Sequence, residues 1–220
     1  MKSFPHFEHE LEHWQKGYTV IGIDEVGRGC LAGPITVGAV CFSPTLSQAE
    51  QKHIETLGIQ DSKKLSAKKR ETLTQSITQY AIYSDIASSS VEMINKKGIE
   101  YAFHDAIGRI VKKFVLSFPD NKLLLLIDGR TIPHIPYIND IERIHIVKGD
   151  SISISIAAAS IVAKVTRDQY MDELSGHELY DWENNKGYGT QRHCDAIVQH
   201  GLSPHHRLLF VRKILSSQTL

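Results

Sequence analysis

Four acidic residues come at or shortly after the ends of apolar segments of the chain. They are Asp24, Glu25, Asp128 and Asp150, and each has a glycine within a few residues of it. Ligand sites of α/β sheets gather beyond the carboxyl ends of strands, so three strand ends would bring these carboxylates to one place. Unscreened, they would repel one another and raise their own pKa values. The pattern therefore predicts a site for hard divalent cations, Mg²⁺ or Mn²⁺, which prefer oxygen ligands and leave room for phosphate.

Each acid by itself also has a structural interpretation. Asp128-Gly129 is ordinary turn chemistry after a strand, and Asp150 fits the N-cap of a following helix. Repetition at three strand ends favours the metal site, and no comparable group of His and Cys favours zinc. Neighbouring strand residues point to opposite faces, so we expect the strand to end or bulge at Asp24 and Glu25.

Two glycines flank an arginine directly after the first acids, as Gly27, Arg28 and Gly29. The next glycine is Gly33, and Pro34 opens a strand rather than a helix, so the spacing does not match a dinucleotide-binding fingerprint. Such glycines leave backbone amides accessible to an oxygen-rich ligand. A loop that needs positive φ would also account for them, but not for their position beside two acids.

The hydropathy pattern predicts the elements that must position these residues. Strands are predicted at 18–23, 34–42, 81–88, 123–127 and 142–147. Helices are predicted at 66–79, 98–118, 155–174, 190–200 and 206–215. In the Ala-rich segment 155–174, apolar residues recur on one helical face. The order of elements indicates a mixed α/β sheet with a helical C-terminal appendage.

The neutral total charge of the chain hides two basic segments. Lys and Arg number 25 against 25 Asp and Glu, which by itself argues against a nucleic-acid binder. Residues 61–70 and 186–220 each hold five basic residues against one acid, so the rest of the chain is acidic. Such segments fit a nucleic-acid surface or, alternatively, two solvated faces.

Composition excludes several classes of protein. With 41% hydrophobic and 23% charged residues, the chain is neither disordered, nor collagen-like, nor a coiled coil. No stretch approaches the roughly 18 apolar residues of a membrane span, and residues 1–17 lack an apolar secretory core. Three cysteines without paired spacing do not predict a disulfide framework. We therefore expect a cytoplasmic protein that does not contact membranes.

Seven motifs resemble those of the ribonuclease HII family, the type 2 ribonucleases H. They are GIDEVGRG (22–29), DSKKL (61–65), LLIDG (125–129), VKGDS (147–151), AAASIVAKVTRD (157–168), NKGYGT (185–190) and the weaker SPHHR (203–207). They occur in the family's order and cover most of the chain. The resemblance implies a ribonuclease H-like five-stranded mixed sheet with helices on both faces and a C-terminal helical subdomain. It divides the chain into a lead-in (1–17), a catalytic core (18–176) and a substrate-binding subdomain (177–220).

The resemblance also implies an activity and its partners. The expected reaction is endonucleolytic cleavage of RNA in RNA–DNA hybrids and on the 5′ side of single ribonucleotides embedded in duplex DNA. The products would carry a 3′-hydroxyl and a 5′-phosphate. Two divalent ions, Mn²⁺ or Mg²⁺, can activate water and stabilise the leaving oxygen, so no catalytic histidine is needed. We expect a monomer, and the sequence does not reveal whether a replication or clamp protein is a partner.

The family's site residues carry over to matching positions of this chain. The implied metal ligands are Asp24, Glu25, Asp128 and Asp150. The implied reader of the RNA–DNA junction consists of Gly27, Arg28 and Gly29 together with Tyr188. Beside them we expect phosphate contacts from Lys63, Lys64 and Lys186, and a contribution from Ser160 and Lys164, which lie one helical turn apart. Asp168 lies too far along the predicted helix from Asp150 and is expected to be structural.

Two positions depart from the family pattern, and two other functions compete with a nuclease. Cys30 stands where proline is common, and we expect its thiol to be buried and inert. Arg207 is followed by Leu208 and Leu209 instead of the usual HRRSF-like ending, which leaves the placement of the last helix open. A metal-dependent phosphotransferase or ATPase would need a second glycine-rich loop, which is not visible. A non-catalytic hybrid-binding module would tolerate loss of acids, yet all four are present.

Overall fold

The computed structural model describes residues 4–130, 140–174 and 176–216. Its strands are β1 (Tyr18–Val26), β2 (Ile35–Phe42), β3 (Ala81–Ser89), β4 (Lys122–Asp128) and β5 (Glu142–Ile146). Its helices are α1 (Glu8–Trp14), α2 (Gln48–Thr56), α3 (Ala67–Tyr80), α4 (Val91–Lys97), α5 (Ile99–Ser117), α6 (Ile154–Glu173), α7 (His177–Tyr180), α8 (Trp182–Asn185), α9 (Gln191–His200) and α10 (Leu208–Ser216). Two short 3₁₀ helices span Ser62–Lys64 and Gly149–Ser151.

The strands form one mixed sheet in the order β3-β2-β1-β4-β5. β1, β4 and β5 are mutually parallel neighbours, whereas β2 and β3 complete the sheet in antiparallel pairs. Ile23 pairs with Ile127, and Asp128 pairs with Ile146, so the three parallel strands end at the same edge. The five predicted strands and the mixed α/β sheet are therefore confirmed, and their shared carboxyl edge is where the acids lie.

Helices cover both faces of the sheet because its interior strand β4 is apolar on both sides. Leu123 to Ile127 of β4 are all buried. One face packs against α5, and the other packs against α6 together with α1, α2 and α3. α6 approaches β1 closely, since a Cβ on Gly22 would lie 2.2 Å from the backbone carbon of Ser155. As a result α6 is buried on all sides from Ile154 to Ala163, and not on the single face that its periodicity predicts.

Serine and threonine N-caps explain where several helices begin. The capping residues are Ser47 for α2, Ser66 for α3, Ser90 for α4, Ser153 for α6 and Thr190 for α9. Because Ser153 caps α6, the N-cap interpretation of Asp150 is wrong. Asp150 lies instead in the 3₁₀ helix that precedes α6, where its carboxylate faces the edge of the sheet.

The expected break in β1 does not occur. The strand continues to Val26, with Asp24 opposite Gly38 and Glu25 opposite Val37 in an uninterrupted antiparallel register. The prediction of a strand end or bulge at these acids is therefore wrong. Both carboxylates border the same cavity, near the carboxyl end of the strand, although neighbouring side chains of a strand leave opposite faces.

The lead-in contains a helix that the sequence analysis missed. Phe7 and Trp14 of this segment are buried in the same apolar cluster as α6. Glu10 of α1 is fully buried, and its Oε1 accepts hydrogen bonds from the hydroxyls of Ser153 and Ser155 at 2.6 and 2.5 Å. Helix α1 thus packs against the start of α6.

The C-terminal helices form a third apolar cluster around Trp182, which is fully buried. α9 and α10 confirm the two predicted helices, while the short helices α7 and α8 are additional. Leu208 and Leu209, which depart from the family pattern, begin α10 and are 54% and 48% exposed. Within the described ranges, no helix combines the length and the apolar character that crossing a membrane requires.

Candidate active site

Eleven of the thirteen predicted site residues line one cavity of about 500 Å³ at the carboxyl edge of the sheet. All four acids border it. The other predicted residues that line it are Gly27, Arg28, Gly29, Lys63, Ser160, Lys164 and Tyr188. Two lining residues, Val26 and Ser62, were not predicted. The cavity therefore brings together side chains from β1, β4, the segment before α6, α6 itself and the loop before α9.

The four carboxylates are held by few protein donors. Asp24 Oδ1 accepts a hydrogen bond from the Glu25 amide at 2.7 Å, and Asp128 Oδ1 accepts one from the Gly149 amide at 2.6 Å. Glu25 is 3.4 Å from the Arg28 guanidinium. Among the described residues, no other cation lies within 4.0 Å of any of the four acids. The cluster is thus short of positive charge.

The electrostatics of the cluster follow from burial and repulsion. Burial raises the pKa of Asp24 well above its usual range, and the neighbouring Glu25 and Asp128 raise it further. Burial raises the pKa of Glu25 to about 7, although Arg28 opposes the rise. Burial also raises the pKa of Asp150, with Asp61 and Asp128 adding to the effect. A bound cation would reverse these shifts, because it favours the ionised carboxylates.

The acids surround the cavity instead of converging on one point. Within 4–130, 140–174 and 176–216, no three His, Cys, Asp or Glu side chains are arranged to hold a single ion. Mg²⁺ sites commonly use one or two protein carboxylates and complete the shell with water and substrate phosphate. An all-oxygen donor set with raised pKa values around an open cavity fits that mode of binding.

Arg167 of α6 fastens the loops that border the cavity, and the sequence analysis missed it. It is fully buried, and its guanidinium donates to the carbonyls of Pro34, Lys186 and Ala32 at 3.0, 2.8 and 3.1 Å. Gly27 has φ 90°, and a Cβ there would lie 2.2 Å from Arg167 Nε. Only glycine therefore lets the loop lie on the guanidinium. The signal was available, since Arg167 follows Ser160 by seven residues and shares its helix face.

Tyr188 lies beside two cationic side chains of α6, of which Lys164 lines the cavity and Arg167 is buried behind it. Its ring centroid is 5.8 Å from Lys164 Nζ and 5.9 Å from Arg167 Cζ. Its side chain is 36% exposed, and burial of the rest raises the pKa of the phenol to about 12. The ring is therefore neutral and partly accessible, as a stacking surface must be.

The structure separates the predicted lysines. Lys63 lines the cavity, whereas Lys64 lies outside it, 3.4 Å from the Ser151 hydroxyl. Lys186 also lies outside the cavity, because its ammonium pairs with Asp172. Sequence spacing could not distinguish these lysines, since their partners come from other elements.

Three further side chains have structural contacts. Asp168 accepts from Lys164 at 2.6 Å and from Arg70 at 3.3 Å, in agreement with its expected structural role. The Ser160 hydroxyl accepts from the Ser62 amide at 3.3 Å and so joins α6 to the DSKKL segment. Cys30 is fully buried, and burial raises the pKa of its thiol, so the prediction of a buried cysteine is confirmed.

A family model of Ribonuclease HII matches residues 21–213. The chain belongs to the ribonuclease HII family. It is 42% identical over 209 residues to the Ribonuclease HII of Wolbachia pipientis subsp. Culex pipiens (strain wPip), covering 94% of this chain and 96% of that relative. It is 41% identical over 199 residues to the Ribonuclease HII of Clostridium botulinum (strain ATCC 19397 / Type A), covering 90% and 70% respectively.

Two solved structures share the fold of this chain. The PCNA:RNase HII complex from Archaeoglobus fulgidus matches with a TM-score of 0.71 at 24% identity, over 91% of this chain and 97% of that one. Bst-RNase HIII in complex with Mn²⁺ matches with a TM-score of 0.69 at 20% identity, over 91% and 70%. The ribonuclease H-like fold is therefore confirmed.

Membership in the ribonuclease HII family decides between the competing functions. The chain is a nuclease, a hydrolase that cleaves the RNA strand of RNA–DNA hybrids internally. The phosphotransferase and the non-catalytic binding module are thereby excluded as its primary function.

Proposed function

We propose that this chain cuts on the 5′ side of a single ribonucleotide embedded in duplex DNA, leaving a 3′-hydroxyl and a 5′-phosphate. The observation that carries the proposal is the shared cavity, in which the four carboxylates lie beside the Gly27–Gly29 backbone and the Tyr188 ring. Chemistry and recognition of the cut site would thus occur at one point of the duplex.

In this proposal, Asp24, Glu25, Asp128 and Asp150 hold the divalent cations, Mg²⁺ or Mn²⁺. Two such ions supply an activated water and stabilisation of the leaving 3′-oxygen. Bst-RNase HIII, which shares the fold, was solved in complex with Mn²⁺, and this supports a divalent ion as the cofactor. The carboxylates would hold these cations where the scissile phosphate binds. Lys63 adds positive charge at the same cavity, which Lys164 also lines while paired with Asp168.

The 2′-hydroxyl of the ribonucleotide is the group that a junction reader must detect. The amides of Arg28 and Gly29 donate to no group within the described part of the chain, so both can bind an oxygen of the substrate. The Tyr188 ring would stack on the neighbouring deoxyribose, where a second hydroxyl would clash. Together these contacts select a ribonucleotide that is followed by deoxyribonucleotides.

The test is cleavage of an end-labelled DNA duplex that contains one ribonucleotide, with Mg²⁺, Mn²⁺ or EDTA. Asp24→Asn is the matched control, because it keeps the size of the side chain and the acceptor of the Glu25 amide but removes the charge. A metal-dependent nick 5′ to the ribonucleotide, absent in the control, is the expected result. Cleavage confined to a continuous RNA strand paired with DNA would overturn the junction-reading role of the Gly27–Gly29 backbone and Tyr188.

A further inference from the structure

Two histidines and a tryptophan form a buried hydrogen-bonded cluster behind Tyr188. Trp182, His193 and His206 are exposed by no more than 1%. Trp182 Nε1 lies 3.1 Å from His193 Nε2, and His193 Nε2 lies 3.1 Å from His206 Nε2. None of these side chains lines the cavity or has a role in the proposed chemistry.

The hydrogen bonds of this cluster determine which nitrogens carry protons. His193 Nδ1 lies 2.9 Å from the Tyr188 carbonyl, which can only accept, so Nδ1 carries the proton. His193 Nε2 is then the acceptor for the indole N–H of Trp182. His206 Nδ1 accepts from the Ser203 amide at 2.9 Å, so its Nε2–H is directed at His193 Nε2 and shares that acceptor with the indole N–H of Trp182.

Both imidazoles are neutral in this arrangement. Burial lowers the pKa of His193, and burial together with the neighbouring His193 lowers the pKa of His206 to about 4. A neutral imidazole offers one donor and one acceptor at opposite ends of a rigid ring. His193 needs both, because it faces a carbonyl on one side and an indole N–H on the other.

The cluster connects the two halves of the junction reader. His193 holds the carbonyl of Tyr188, while the Thr190 hydroxyl between them caps the amide of His193 at 3.3 Å. On the other side, Arg207 follows His206 directly and donates to the carbonyls of Gly33 and Arg28 at 2.9 and 3.1 Å. A chain of buried contacts therefore links Tyr188 to the loop that carries Arg28.

We propose that His193 is a positioning residue. By holding the Tyr188 carbonyl, it fixes the Tyr188 ring relative to the Arg28 backbone, so that the two together recognise an RNA–DNA junction. The inference rests on the proposed function, since it acts only through Tyr188. It predicts that loss of the His193 bond to Tyr188 harms recognition of a single ribonucleotide and leaves cleavage within a long RNA strand intact.

The test compares His193→Gln with His193→Asn. The amide nitrogen of Asn can take the place of Nδ1 and keep the bond to the Tyr188 carbonyl, whereas Gln reaches the Nε2 position and loses that bond. We expect His193→Gln to lower kcat/KM on a single-ribonucleotide duplex about 3- to 10-fold, the effect of one lost buried hydrogen bond. Cleavage within a continuous RNA strand should change less than about twofold, and His193→Asn should restore the wild-type ratio of the two rates.

The ratio of the two rates is measured in one preparation, so a lower folded fraction cancels from it. An equal loss on both substrates would overturn the proposal, because that is what a purely structural role produces. A His193→Asn variant as deficient as His193→Gln would also overturn it.

Tyr188→Ala separates this inference from the proposed function. We expect it to weaken cleavage at a single ribonucleotide at least about fivefold, and His193→Gln should then have no further effect in the double variant. If Tyr188→Ala alone leaves that rate unchanged, the reading role of Tyr188 itself is overturned. If Tyr188→Ala has the expected effect but His193→Gln lowers the rate equally with and without Tyr188, only the positioning role of His193 is overturned.

Discussion

Protons and cations compete for the same oxygens at the sheet edge. Asp24, Glu25 and Asp150 are buried beside other acids, which raises their pKa values above the usual range. Within the part of the chain that is described, Arg28 is the one cation that lies within 4.0 Å of any of these carboxylates. A bound cation therefore stabilises the site, and without a cation the carboxylates repel one another.

Asp128→Asn should abolish cleavage while leaving duplex binding largely unchanged. The amide keeps the hydrogen bond that Asp128 Oδ1 accepts from the Gly149 amide, so the local fold is preserved. The loss of one charged oxygen ligand should lower the cleavage rate by at least about 100-fold. Single-turnover cleavage and equilibrium binding of the same labelled duplex measure the two effects. Retained turnover would contradict the assignment of Asp128 as a metal ligand.

Glu25→Gln should stabilise the protein in EDTA, increasingly so between pH 4.5 and about 7. An unfolded Glu ionises near pH 4.5, whereas the folded Glu25 keeps its proton up to about pH 7. The folded state thus binds more protons in this window, and the wild type loses stability as pH rises through it. Glutamine does not ionise and avoids that loss.

Urea unfolding of the wild type and of Glu25→Gln at several pH values measures this difference in stability. The effects of groups that titrate in both proteins cancel in the comparison. The difference should reach a plateau above about pH 7. A stability difference that is independent of pH would show that Glu25 does not titrate in this range.

At the scale of elements, the close contact between β1 and α6 organises the site. Gly22 lets α6 lie on the sheet, and α6 then carries Ser160, Lys164 and Arg167 along one face toward the cavity and its loops. α1 stabilises the start of α6, because the Glu10 carboxylate accepts hydrogen bonds from Ser153 and Ser155. The N-terminal helix therefore supports the active site from behind.

Glu10→Ala should destabilise the protein by about 2–4 kcal/mol, because three buried donors lose their common acceptor. Glu12→Ala is the matched control on the same helix. Glu12 is exposed and pairs only with Lys16, so its loss should change stability by less than about 0.5 kcal/mol. Chemical unfolding followed by circular dichroism measures both values. Equal effects of the two substitutions would refute the anchoring role of Glu10.

At the scale of the whole molecule, the two basic segments of this neutral chain contribute unequally to the cavity. Of the lysines in the two basic segments, the structure directs Lys63 into the cavity and pairs Lys186 with Asp172 outside it. Phosphate contacts give a binding affinity that falls with salt in proportion to the number of phosphates neutralised. The two lysines are therefore distinguishable in solution.

Lys63→Ala should lower the slope of log K against log salt concentration by about 0.9, the contribution of one phosphate contact. Lys186→Ala should leave the slope unchanged, because its ammonium already has a carboxylate partner. Binding of the Asp24→Asn variant to the duplex at several salt concentrations measures both slopes without cleavage. Equal salt slopes for the two alanine variants would contradict this prediction, because they would mean that both lysines contact phosphates or that neither does.

The sequence alone determined the strands, most of the longer helices and the acids at the carboxyl edge. These predictions depend on local chemistry: alternation and apolar runs define β1 and β4, serine and threonine caps start α3 and α9, and parallel strands must end at one edge. The ordered motifs identified the family for the same reason, because each motif is a short contiguous run of residues.

Only the tertiary structure decided which partner each side chain meets. It showed that Asp24 and Glu25 reach one cavity from an unbroken strand, that Lys63 and not Lys186 lines it, and that Arg167 fastens its loops. It also placed the Trp182–His193–His206 cluster behind Tyr188. These facts depend on contacts between residues that are distant in the chain, and hydropathy and spacing carry no record of such contacts.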